Sequence, residues 1–127
     1  MHGGYVAGVA ETMRVAFDTA PGDVMYVVAD PGWITGQSYM ISAALATRVT
    51  SVVAEAAPVF PSAGRFASII ERYGVSVFKA GVTFLKSVMQ DPQNAEDVRR
   101  HDLSGLRDCT ICADPTSPAV HKFGKDQ

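Results

Sequence analysis

A run of six apolar residues, Val24-Met25-Tyr26-Val27-Val28-Ala29, lies between two proline–glycine pairs, Pro21-Gly22 and Pro31-Gly32. Its β-branched content and lack of polar alternation predict a strand buried on both faces. Such a strand needs helices above and below it, which points to a parallel α/β sheet. Asp30-Pro31-Gly32 is turn chemistry, because proline fixes φ and glycine tolerates positive φ. Residues 35–47 then read as a helix. Trp33, Ile34 and Thr35 therefore sit at the carboxyl end of the strand, where open α/β sheets bind ligands.

The same alternation runs through the chain. Residues 3–18 read as a helix, with Val6, Val9, Ala10, Met13 and Phe17 on one stripe and Glu11, Arg14 and Asp18 off it. Gly3, Gly4 and Gly8 fit neither the dinucleotide nor the P-loop spacing, which argues against a phosphate loop there. Small residues over 37–46 would let that helix lie close on a sheet. Residues 49–54 form a second strand, apolar on both faces, and 57–62 a loop with Pro58 and Pro61. Ser62 is a candidate N-cap for a helix over 63–73, whose stripe is Phe66, Ile69, Ile70 and Tyr73 and which Gly74 ends. A strand follows at 75–78, then Lys79-Ala80-Gly81 as a strand-to-helix turn, then a helix over 82–89 stopped by Asp91-Pro92. The polar stretch 92–102 reads as a long loop with a helical turn. Residues 108–112 are a strand, Asp114-Pro115 a turn, 117–122 a last helix, and 123–127 a fraying tail. This order requires right-handed crossovers onto a parallel sheet. The expectation is a single three-layer, flavodoxin-like α/β domain over residues 1–127, with helices on both faces.

The totals exclude several classes of function. A net charge of -2 gives no attraction to nucleic acid or to an anionic membrane. No apolar run reaches membrane-spanning length, and the N-terminus lacks a signal-peptide pattern. Two cysteines without an export signal point to a reducing, cytoplasmic setting.

The turns Trp33-Ile34-Thr35, Lys79-Ala80-Gly81 and Cys112-Ala113-Asp114-Pro115 would line one edge of a parallel sheet. Their Gly, Pro and Asp content is also what any turn requires, so pattern alone leaves a ligand site and plain turn chemistry equally open. Cys109-Thr110-Ile111-Cys112 is a C-x-x-C, but inside a strand rather than at a helix N-terminus, and only His101 and His121 are near it in sequence. Buried free thiols are expected there, not a redox or metal site. Ser104, Ser117 and the histidines show no nucleophile–base arrangement. Glu71, Arg72, Glu96, Asp97, Arg99 and Arg100 read as solvated charges.

Residues 23–39 resemble the D-V-x-x-x-x-A-D-x-G-W-x-T-G-x-S-Y segment of the acetyl-CoA and propionyl-CoA synthetase branch of the AMP-forming acyl-CoA ligases. The likeness continues through Pro58-Val59-Phe60-Pro61, Gly64-Arg65-Phe66, Ile69-Ile70-Glu71, Val75-Ser76-Val77-Phe78 and His101-Asp102-Leu103-Ser104-Gly105-Leu106-Arg107. It closes on Ala113-Asp114-Pro115, where the family has Gly-Glu-Pro. Gln37 stands where the family often has His. The resemblance implies that the chain is the middle of the large domain of an adenylate-forming enzyme. That enzyme converts a small carboxylate, ATP and CoA to acyl-CoA, AMP and pyrophosphate, with Mg.

By the same resemblance, Trp33, Ile34, Thr35 and Cys112 belong to the acyl pocket, and Ala113, Asp114 and Pro115 to the adenine site. Trp33 and Gly81 belong to the channel for the CoA pantetheine arm, with core packing as the other reading of Trp33. Asp114 keeps the charge of the family acid one methylene shorter. No residue matches the phosphate loop, the downstream adenylate motifs or the lid with its catalytic Lys. No catalytic residue, no metal site and no tightly bound cofactor are therefore expected, and a truncated product or an expressed fragment is. The expectation is one wall of a ligase pocket, inactive alone. A non-catalytic module that self-associates through exposed apolar faces is the alternative. A weaker third reading is an unrelated flavodoxin-like domain that holds a flavin or a phosphate at the Gly81 turn.

Overall fold

The fold is set by four strands that all run the same way. A computed structural model describes residues 1–55 and 57–127. Strands β1 (Val24–Val28), β2 (Thr50–Val52), β3 (Val77–Gly81) and β4 (Asp108–Cys112) form one parallel sheet in the order β2-β1-β3-β4. This is the start of the doubly wound order 2-1-3-4-5. The chain steps from β1 to β2, then reverses past β1 to β3. A constant hand of crossover demands that the connecting helices change face at that reversal, and they do. Helix α1 (His2–Val15) and the helix after β1 pack on one face. Helices α3 (Gly64–Tyr73), α4 (Val82–Met89), α5 (Pro92–Arg99) and α6 (Pro118–Lys125) cover the other.

Side-chain alternation divides each strand between the two layers. Met25 and Val27 of β1 and Val77 of β3 meet Val9, Met13, Phe17, Met40 and Ala43. Tyr26 and Phe78 point the other way, into a cluster with Phe66 and Phe84. Its ring centroids lie 4.9–6.0 Å apart, inside the favourable range for aromatic pairs. The α1 stripe is narrower than its spacing suggests: Val9, Met13 and Phe17 are buried, while Val6 is 43 % exposed.

The helix after β1 spans residues 34–47 but is not uniform. Gly36–Ala43 is π-helical and Ala44–Thr47 (α2) is α-helical. Its first turn lies hard against the end of β1. A Cβ at Gly36 would sit 2.2 Å from the Asp30 carbonyl oxygen and 2.8 Å from Pro31 Cα. Only glycine allows that approach.

Several elements differ from the sequence expectation. Lys79-Ala80-Gly81 is not a turn but the second half of β3. Val28 pairs with Ala80 and Gly81 with Cys112, and α4 begins at the next residue. The ladders on both sides of a central strand hold these residues extended. The expected long loop at 92–102 is largely helix α5. The Asp91 carboxylate accepts the Gln93 N–H at 2.9 Å, Pro92 opens the first turn, and Ala95 and Val98 are buried beneath polar neighbours.

Strand β2 is shorter than residues 49–54. It is an edge strand and half exposed rather than buried on both faces. Ser62 does not cap α3 through its side chain, because the cap position falls on Ala63 in helical geometry. The tail does not fray from 123: α6 runs to Lys125, capped by the Ser117 hydroxyl, and Phe123 packs on the aromatic core. The cysteines are less enclosed than expected, since β4 is the other edge strand; as residues Cys109 is exposed and Cys112 half-buried. No described helix is long and apolar enough to cross a membrane.

At the amino edge of the sheet, Asp23 ties three segments together. Its carboxylate accepts the Ala20 N–H at 2.7 Å, the Ser76 hydroxyl at 2.7 Å and the Arg107 guanidinium at 2.7 Å. Partial burial alone would raise its pKa. The Ala20 N–H, the Ser76 hydroxyl and Arg107 outweigh that and hold it below the usual carboxylate range.

Three substitutions have expected outcomes for unfolding in denaturant. Gly36→Ala is expected to cost about 3 kcal/mol through backbone overlap. Gly8→Ala, on an exposed helix turn with nothing within 4 Å, should stabilise by about 0.5–1 kcal/mol. Asp23→Ala is expected to cost about 2 kcal/mol, since it removes charge-assisted bonds and leaves their donors unpaired. Because the folded pKa of Asp23 is lowered, its contribution is present above the ordinary carboxylate pKa of about 3.9. It is lost as pH falls through the folded value. A stability–pH curve of the wild type should therefore drop more steeply below about pH 4 than that of Asp23→Ala.

Candidate functional site

The carboxyl ends of all four strands share one edge, and the reversal of strand order lies between β1 and β3. Open α/β sheets part their loops at such a point and bind ligands there. Most of the residues singled out by sequence lie along this edge. Gly81 ends β3 directly beside Cys112, which ends β4. A Cβ at Gly81 would meet only the Cys112 carbonyl oxygen, at 4.0 Å, so the sheet face is open there. Beyond Cys112 the chain turns at Ala113, with φ of 83°. Asp114 then reaches back, and its carboxylate accepts the Thr83 hydroxyl of α4 at 3.2 Å. That bond joins the two connections after β3 and β4. Pro115 is exposed beside it.

Trp33 precedes the helix after β1, and Ile34 and Thr35 begin it. The Trp33 N–H donates to the Asp30 carbonyl at 3.0 Å, and the Trp33 carbonyl accepts the Gln37 N–H at 2.9 Å. The Gln37 side chain binds the Pro31 carbonyl, closing the turn. Trp33 is 67 % exposed and Ile34 71 % exposed, so core packing is not the role of Trp33. The turn at Pro31-Gly32 carries the indole off the sheet before the helix docks at Gly36. Thr35 is half-buried.

Beside this row, a cleft of about 670 Å³ opens between the ends of β1 and β2, lined among others by Tyr26, Asp30, Met40, Glu55 and Pro58. None of the expected acyl-pocket residues lines it. Arg65 shapes its far rim, because its guanidinium gathers the carbonyls of Glu55, Ala57 and Phe60.

The two thiols of the C-x-x-C point to opposite faces, as their spacing in a strand requires. Cys109 adjoins the apolar wall of Phe78, Leu85 and Phe123. Although the edge strand leaves part of the residue exposed, that wall and then the Asp108 carboxylate push its pKa up to about 11. Among the described residues no three His, Cys, Asp or Glu side chains gather to hold a metal ion.

One residue escaped the sequence reading. Lys79 is only 4 % exposed. Its ammonium lies 5.1 Å from the centroid of Phe17 and 5.0 Å from that of Tyr39. The two rings meet edge-to-face at 5.2 Å. No carboxylate or hydrogen-bond acceptor reaches the ammonium among the described residues. Desolvated aromatic faces return about 2 kcal/mol, less than it costs to take an ammonium out of water. A lone Lys within the apolar run Val75-Ser76-Val77-Phe78-Lys79-Ala80 was the available signal. Placing 79–81 in a turn hid it.

The model of the AMP-binding enzyme family matches residues 1–127. This chain belongs to the AMP-binding enzyme family. Acetyl-coenzyme A synthetase of Gemmatimonas aurantiaca is 40% identical over 91% of the chain, which is 17% of that relative. The same enzyme of Cupriavidus metallidurans is 37% identical over 91% of the chain and 18% of its own length. That of Drosophila melanogaster is 36% identical over 98% of the chain and 19% of its own length. The chain thus spans less than a fifth of these curated relatives.

The family likeness bears on Ala113. A non-glycine residue at φ of 83° is strained by roughly 1–3 kcal/mol. Ala113→Gly is expected to raise the unfolding free energy by about 1 kcal/mol, measured by denaturant titration.

Proposed function

We propose that this chain forms one wall of the acyl and adenylate pocket of an acetyl-CoA synthetase-like ligase. The observation that carries the reading is the row at the switch point. Gly81 and Cys112 stand on neighbouring strand ends, Thr35 lies in the first turn of the helix that returns from the end of β1, and the Thr83–Asp114 bond fixes the turn beyond Cys112. Ile34, Thr35 and Cys112 would bound a short acyl chain with a branched alkyl group, a methyl and a soft sulfur. Ala113-Asp114-Pro115 would edge the adenine, largely through backbone. Trp33, exposed above the row, and Gly81 would border the pantetheine path. The overall reaction joins a carboxylate to CoA through an acyl-adenylate, with ATP cleaved to AMP and pyrophosphate. This chain's own part is to bind and orient the acyl-adenylate. We match no side chain in it to proton transfer or phosphate neutralisation, so turnover needs parts outside it.

Calorimetric titration with a non-hydrolysable propionyl-adenylate mimic tests this. Measurable binding, weakened at least tenfold in Cys112→Trp, is the expected outcome. No heat from a demonstrably folded chain would sink the reading.

The second reading is a self-associating module, favoured by exposed apolar side chains. Trp33, Ile34, Leu45, Val53 and Phe60 are each at least 65 % exposed, and exposed apolar patches drive association. Light scattering across concentrations separates the two: a monomer throughout counts against the module.

A further inference from the structure

Lys79 lies on the same sheet face as Gly81 and Cys112. Side chains alternate along a strand, so Lys79 stands one pleat below Gly81, about 6.6 Å along the strand. Across the ladder it faces Val27 on one side and Thr110 on the other. The level above it is built from small residues. Gly81 has no side chain, Cys112 flanks it on β4, and Ala29 follows Val27 on the same face of β1. Tyr39, whose ring covers the ammonium, lies four residues after Thr35 in the helix that crosses above.

In the reading above Thr35 and Cys112 are two walls of the acyl pocket; Cys112 stands on the sheet face above Lys79, and Thr35 lies four residues before the Tyr39 that covers the ammonium. Gln127 Oε1 is the one sealed side-chain polar atom without a hydrogen-bond partner among the described residues. The Lys79 ammonium has no such partner either, so it keeps an opening to solvent.

We propose that Lys79 is the floor of the acyl pocket and selects an acid with a second oxygen function, a hydroxyl or a carboxylate, at the far end of its chain. A plain alkyl acid would leave the ammonium facing methyl groups, with nothing to replace the water it gives up. A terminal oxygen would complete the ammonium's coordination beside the two rings. Discrimination of this kind is steep when a buried polar group is otherwise unpaired. The inference rests on the acyl-pocket reading and adds the substrate class to it.

The test compares three acyl-sulfamoyl-adenosine mimics on the full chain by calorimetry: propionyl, 3-hydroxypropionyl and succinyl. The wild type is expected to bind at least one oxygen-bearing mimic tenfold more tightly than the propionyl mimic. The hydroxyl and carboxylate arms separate a hydrogen-bond acceptor from an anion. Lys79→Met, which fills the apolar surroundings with similar volume, should fold and lose that preference, and Lys79→Arg should keep part of it. Equal affinity for all three mimics, or the same preference in Lys79→Met, would overturn the role of Lys79 and leave the pocket reading standing. Failure of every mimic to bind would overturn both.

Discussion

The approach of Gly36 to the Asp30 carbonyl is the contact on which the carboxyl edge depends. It lets the helix after β1 return directly onto its strand end. A side chain there would lift the first helical turn off the sheet. Thr35 would move away from the end of β1, and Tyr39 would leave the Lys79 ammonium. The π-helical stretch Gly36–Ala43 lies within this same helix, between the tight docking and the ordinary α-helical end. Wide turns of that kind recur at functional sites in other helices.

The two layers of the fold do different work. The layer of α3 to α6 is closed by aromatic rings around Phe66, Phe78 and Phe84, and its α4 holds the Asp114 turn through Thr83. The layer of α1 and the π-helical segment is packed by aliphatic and methionine side chains up to Val27 and Val77. There it gives way to Lys79, Thr110 and Cys112.

The motifs that carry the family likeness separate by sheet edge. Asp23, Ser76 and Arg107 come from three motifs and meet at the amino edge, in one cluster of charge-assisted bonds. Glu71 and His101 pair at 2.7 Å between α3 and the segment after α5, where Gly64 also packs against Asp97. That pairing, with the backbone at Asp102, keeps the Glu71 carboxyl below its usual range. These residues hold the scaffold. Trp33, Thr35, Cys112 and Asp114 sit at the opposite edge, where the strand order reverses. Members of a single motif therefore serve different ends.

The sequence by itself determined the α/β class, the parallel sheet and the strand-to-helix sites at Thr35 and Asp114. Apolar runs without alternation can only be strands covered on both sides, and proline and glycine mark where they stop. It also determined the family, through residues spread over most of the chain. Local composition misled where burial came from distant partners. The polar stretch at 92–102 became helix α5 because Ala95 and Val98 found a core, and β3 ran on to Gly81 because β1 and β4 paired with it. Only the tertiary structure decided that Lys79 is buried between Phe17 and Tyr39. Those rings lie 62 and 40 residues earlier in the chain, and no local pattern records a contact that the packing of a helix on a sheet creates.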